Sequence, residues 1–505
     1  MRKLITLTCI LLAFAAAPAA HAATVMSFDG TLIHVNFFPA AGLTAGHRAP
    51  TVLVGPGWGS AGDTNPNSAP DPTTGYPGLG PLRHAGFNVL TWDPRGFGTS
   101  GGQAEVDSPQ FEGRDVSAII SWLANQPQAQ LDSPGDPRVG MAGGSYGGGI
   151  QLVTAAIDHR VDAIVPDIAW HSLTTSLYKS QTVKLGWSGL LYLAALAAHA
   201  HLDPLIGQSY QAGAAGQPLS AQEVGFFSSR GPGNLVRKIH VPTLLVQGTV
   251  DTLFTLQEAV DNYRMLKAGG VPVHMLWFCG GHGVCLTNPG HTGLIVHDTL
   301  AWLERYLKRN RHVSTGPGFE FVDQRGGEHT AARYPLAAGP KITGRKSGGK
   351  LTVDGTGGAG PLPAQSSGST LQRVVAPITP ARASNAVSLR LPAARRTTLV
   401  VGAPMLTITY RGTAGTGPAG TRLYAQLIDD ATGKVLGDQI TPVPVRLDGS
   451  SHTLTLPLEI VAAVERRGER FTLQLTPSTV AYQHQLTTGT ISFSRIVIVL
   501  PTAAG

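Results

Sequence analysis

Between residues 23 and 315, short β-branched or aromatic runs alternate with stretches whose apolar positions recur at helical spacing. That alternation predicts a parallel sheet joined by crossover helices. The runs that read as strands are Thr51 to Val54, Phe87 to Trp92, Arg138 to Met141, Ala163 to Val165, Thr243 to Val246 and Val273 to Phe278. A helix is expected over Phe111 to Asn125, where Val116, Ile119, Ile120 and Leu123 share one face.

From His171 to about Leu235 the alternation gives way to a long, mostly uncharged segment, read as a helical cap over about 171–235. Leu185 to Leu202 approaches the length of a membrane span, but its Gly, Ser and His content favours a cap helix. After Thr315 a Gly-rich stretch precedes runs such as Thr397 to Val401, Leu406 to Tyr410 and Ile491 to Phe493. Short strands separated by turn signals such as Asp448-Gly449 predict a second domain, a β-sandwich over 316–505. Within it, about Leu458 to Glu465 reads as helical.

The amino terminus changes the expected location. Arg2-Lys3, the apolar stretch from Leu4 to Ala17, and Ala20-His21-Ala22 have the layout of a secretory signal over 1–22. The mature chain is therefore expected to be secreted or held in the cell envelope, without a stable membrane span. Removal of Cys9 would leave Cys279 and Cys285, which an exported protein can pair as a disulfide. A metal bound by both cysteines and His282 would have three ligands at most and no second cluster, so no metal is expected.

Composition narrows the class further. Hydrophobic residues make up 42% and charged residues 14% of 505 positions, which fits a folded chain of at least two domains rather than a disordered one. The formal charge of +7 is spread without basic runs, so nucleic-acid binding gains no support. No cofactor is expected: the loop Gly55-Pro56-Gly57-Trp58-Gly59 lacks the Lys-Ser or Lys-Thr pair of a phosphate loop.

Gly143-Gly144-Ser145-Tyr146-Gly147 matches the strand–turn–helix elbow that lifts a serine hydroxyl above a sheet. Gly98-Thr99-Ser100-Gly101-Gly102 matches the same letters, but it follows a loop and leads into a polar stretch. Ser145 alone has a predicted strand before it and a helix-compatible run after it. A serine needs a base, and the base needs an orienting carboxylate. Asp251 follows the strand at Thr243, and His282 follows the strand at Val273 between flanking glycines, with His291 the nearest rival. The chain order Ser145, Asp251, His282 is that of the α/β-hydrolase fold. The backbone amides of Trp58 and Tyr146 are the candidate oxyanion donors, with a pocket-wall role as the alternative for Trp58.

Together with Asp93-Pro94-Arg95-Gly96-Phe97-Gly98, the helical insertion and the β-rich C-terminal region, these residues resemble the X-Pro dipeptidyl-peptidase and cocaine esterase family of serine hydrolases. The resemblance implies a jelly-roll-like C-terminal domain, acylation of Ser145, proton transfer through His282 and orientation of His282 by Asp251. The implied partner is a small ester, amide or peptide; nothing in the sequence sets the oligomeric state. Where the family often has a tyrosine hydroxyl as oxyanion donor, this chain has Trp58. Peptidase members also need an acidic anchor for the substrate's amino terminus; Asp167 is the one candidate, with a cap or loop role as its alternative. An esterase is thus expected ahead of an X-Pro dipeptidyl peptidase. The alternative from another class is a non-catalytic carbohydrate-binding protein, suggested by the β-rich C-terminal region.

Overall fold

The computed structural model describes residues 20–71, 74–363 and 369–504. The expected signal segment therefore lies mostly outside the described residues; His21 and Ala22, at its end, already pair with Phe37 and Asn36.

The main sheet is built from β1 (His21–Met26), β2 (Leu32–Phe38), β3 (Thr51–Val54), β4 (Asn88–Trp92), β5 (Val139–Gly144), β6 (Val161–Asp167), β7 (Thr243–Gly248), β8 (Val273–Phe278), β9 (Phe319–Val322) and β10 (Glu328–Ala331). Their spatial order is β1-β2-β4-β3-β5-β6-β7-β8-β9-β10. The strands from β4 to β9 in that order pair in parallel, and β1, β2 and β10 close the two ends antiparallel. Parallel strands covered on both faces read as continuous apolar runs, as in the wholly buried β3, β4 and β7.

Helices α1 (Leu79–His84), α2 (Glu112–Leu123) and α3 (Tyr146–Ile157) lie between the early strands. The cap between β6 and β7 is made by α4 (Leu173–Leu177), α5 (Leu185–Ala197), α6 (Pro204–Ala214) and α7 (Ala221–Ser228), followed by α8 (Leu256–Ala268) and α9 (Leu294–Tyr306) among the later strands. No helix among the described residues is long and apolar enough to cross a membrane.

Two expectations need correction. The sheet does not stop at Thr315, because β9 and β10 extend it beyond the expected boundary. The segment read as helical is instead a strand, Val461–Glu465, paired antiparallel with Thr398–Gly402. All five of its residues are buried, and a run buried on both faces has no periodicity to separate strand from helix.

The C-terminal region holds a five-stranded and a four-stranded antiparallel sheet. Leu406 and Ile408 of the first share one core with Leu423, Val443 and Leu473 of the second. Ile460 and Ala462 instead join the core of the main sheet alongside Tyr263 and Trp277, tying the two regions together.

Candidate active site

Ser145 sits between β5 and α3 at φ 58°, ψ −117°, a conformation an L-residue adopts only at a cost of about 1–3 kcal/mol. Its N–H donates to the Asp167 carbonyl at 2.9 Å, which ties the turn to β6. At Gly147 a Cβ would lie 2.1 Å from the Gly55 carbonyl oxygen, so only glycine lets α3 approach the loop after β3.

Asp251 follows β7 and is fully buried. One carboxylate oxygen accepts from the N–H of Leu253 at 3.0 Å and of Phe254 at 2.8 Å; the other accepts from His282 Nδ1 at 2.7 Å and the His282 N–H at 3.2 Å. These donors compensate a carboxylate removed from water. With Nδ1 donating to Asp251, Nε2 is left as the acceptor and faces the Ser145 hydroxyl at 2.8 Å. Edges of Trp187 and Phe254 flank the imidazole at centroid distances of 5.7 and 5.2 Å. Thus three side chains widely separated in sequence form one hydrogen-bonded chain, hydroxyl to imidazole to carboxylate.

Cys279 and Cys285 are disulfide-bonded across the turn that carries His282. Among the described residues no group of three or more His, Cys, Asp or Glu side chains could hold a metal.

Trp58 and Tyr146 both border the cavity that opens on Ser145. The Trp58 indole N–H is committed to the Leu191 carbonyl at 3.0 Å, and the Tyr146 hydroxyl donates to Glu112 at 3.2 Å. Neither side chain therefore offers its donor to a substrate, and only the amides remain for that purpose. Tyr146 opens α3, where a helix has no acceptor for its first N–H groups and concentrates positive potential.

The Asp93-Pro94-Arg95-Gly96 motif braces this side of the site. Asp93 accepts from the N–H of Gly62 at 2.9 Å and of Thr99 at 2.8 Å, which holds the far end of the Trp58 loop. Arg95 forks onto Asp115 at 2.6 and 2.7 Å and reaches Asp29 at 3.1 Å.

The rivals lie elsewhere. The Ser100 hydroxyl donates to the Asp93 carbonyl at 2.6 Å and accepts from the His34 N–H at 2.9 Å, a turn-stapling role. His291 borders a separate cleft with Asp71 and Cys285. Asp167, the candidate amine anchor, is not among the cavity-lining residues; it is buried at the end of β6, and burial pushes its carboxyl well above the usual range. Its backbone, not its charge, serves the elbow.

Most of the cavity walls carry no sequence motif. They include Trp170, Leu173, Tyr178, Leu191 and Phe254, and no charged side chain lines the cavity among the described residues. Trp58, whose alternative reading was a pocket wall, borders the cavity, and Phe254 follows Asp251 by three residues. The cap residues carry no motif.

A family model described as X-Pro dipeptidyl-peptidase (S15 family) matches residues 29–284, more than half of the chain and all of the residues from Ser145 to His282. The chain belongs to this family. It is a hydrolase, not a non-catalytic binding protein. A CocE/NonD family hydrolase from Staphylococcus aureus aligns over 95% of this chain and 93% of its own, with a TM-score of 0.68 at 14% identity. An aminopeptidase from a marine sediment Thaumarchaeota archaeon aligns over 98% and 99%, with a TM-score of 0.69 at 14% identity. At such identities these likenesses speak to the fold, an α/β-hydrolase domain with a β-rich C-terminal region. An uncharacterized 31.7 kDa protein of Escherichia coli is 36% identical over 86 residues, 17% of this chain and 28% of that relative's own length.

Proposed function

We propose that this chain is an exported serine esterase that works through an acyl-enzyme on Ser145. The observation that carries the reading is the 2.8 Å contact between the Ser145 hydroxyl and His282 Nε2, with Asp251 behind the imidazole at 2.7 Å.

In this reading, His282 Nε2 takes the hydroxyl proton as Ser145 Oγ bonds to the substrate carbonyl carbon. The carbonyl oxygen gains charge and is met by the amides of Tyr146 and Trp58. Collapse of that intermediate breaks the bond to the leaving group, which His282 protonates. Water then repeats the sequence, yielding the acid and free Ser145, while Asp251 holds the imidazolium in place.

Family membership keeps an X-Pro dipeptidyl peptidase in view, and the character of the cavity argues against it. A substrate ammonium would be desolvated among aromatic and aliphatic walls without a counter-charge. An uncharged acyl group meets no such penalty. Export is supported by the 1–22 leader pattern alone.

The test is labelling with a fluorophosphonate, followed by a panel of short acyl esters and Ala-Pro amides. Label on Ser145, its loss in Ser145→Ala, and ester turnover above amide turnover are expected. An unlabelled Ser145 in folded protein would sink the mechanism, and cleavage of the Ala-Pro amides alone would overturn the substrate order.

A further inference from the structure

The loop from Asp251 to Thr255 is gripped from two sides by parts of the chain remote in sequence. From the cap, the Lys184 ammonium donates to the carbonyls of Thr252 and Leu253, both at 2.9 Å, and the Trp187 indole N–H donates to the Thr252 hydroxyl at 2.9 Å. From the C-terminal region, the Gln439 amide donates to the Asp251 carbonyl at 2.9 Å, and Glu459 accepts from the Thr255 hydroxyl at 2.9 Å. Lys179 of the cap in turn pairs with Glu459, so the two grips touch.

Lys184 is 3% exposed, and an ammonium at such a position carries a large desolvation penalty. A neutral amide, with two N–H donors, could meet both carbonyls without that cost. What the ammonium adds is its charge, which makes the bonds to the two successive carbonyls stronger than neutral ones.

Resting on the reading of Asp251 as the acid that orients His282, we propose that Lys184 and Gln439 are positioning residues. They clamp the acid loop between the cap and the C-terminal region and so set the reactivity of Ser145. The C-terminal sheets are then part of the catalytic geometry and not an appended module. Lys184 and Gln439 touch no reacting atom; they act through Asp251.

The clamp is proton-dependent. Burial pushes the Lys184 ammonium down to about 8, against the opposing pull of Glu459. The other charges that face it are Lys179, which disfavours the ammonium, and Asp251 and Glu258, which favour it; the Tyr482 ring lies 6.0 Å away. As pH rises through about 8 the amine loses its charge, and the two N–H groups it keeps hold the loop carbonyls by weaker, neutral hydrogen bonds.

The experiment measures the rate of fluorophosphonate labelling at Ser145, together with kcat and KM on a short acyl ester, from pH 7 to 10. In Lys184→Met we expect the labelling rate and kcat to fall by about 10²-fold with KM little changed, because a displaced acid loop misaligns the base. Gln439→Leu should lose about tenfold in kcat, the worth of one hydrogen bond. The wild-type rate should decline above pH 8, and the decline should vanish in Lys184→Met. If Lys184→Met does not fold, Gln439→Leu and the wild-type pH profile decide. Rates within twofold of wild type in the folded variants, or a flat wild-type profile, overturn the clamp. Absence of label on wild-type Ser145 instead overturns the hydrolase mechanism beneath it.

Discussion

The α-carbon of Gly147 packs against the carbonyl of Gly55 so closely that a Cβ would lie 2.1 Å from that oxygen. The contact joins the first turn of α3 to the loop that presents Trp58. It sets the spacing between Ser145 and the proposed oxyanion donors. Gly147→Ala must push the two backbones apart, at a cost of about 1–3 kcal/mol or more. A lowered urea midpoint together with slower labelling of Ser145 is the expected result, and an unchanged midpoint would show that the loop yields freely.

Asp251→Asn retains the volume of the acid but cannot hold the imidazole with the same charge and tautomer. A loss of kcat of about 10⁴-fold is expected, with KM largely retained. Steady-state kinetics on a short acyl ester checks this.

Arg95→Met leaves Asp115 buried without its bidentate partner. Stranding such a carboxylate costs about 3–5 kcal/mol. Chemical denaturation at neutral pH should show the loss, and combining Arg95→Met with Asp115→Asn, which removes the stranded charge, should recover part of it. A loss that the double variant does not relieve would point to lost packing instead.

Burial pushes the carboxyls of Glu112, Asp438 and Glu465 up to about 7. In the unfolded chain such groups release their protons near pH 4. Between these limits the native state binds more protons, so stability falls as pH rises from about 4 to 7. For the fully buried Glu112 the loss is roughly 3 kcal/mol at most. Thermal melting should therefore peak in mildly acidic buffer, and Glu112→Gln should flatten the profile over that window. A midpoint that climbs steadily from pH 5 to 8 would contradict the assignment.

Sequence by itself determined the parallel strands and the carriers of the candidate chemistry. Buried parallel strands must be apolar runs, and a serine at a tight strand–helix turn must have glycines around it, so both leave local traces. Ser145, Asp251 and His282 could be named because each follows a strand end, where the sheet's topology gathers loops. The strand at Val461–Glu465 could not be read, since its conformation depends on a partner more than fifty residues away at Thr398–Gly402. The same holds for the cavity's missing charges and for Lys184 and Gln439. Which carbonyl a buried lysine meets, and which walls a cap helix presents, depend on contacts between distant segments. Those contacts only the tertiary structure decided.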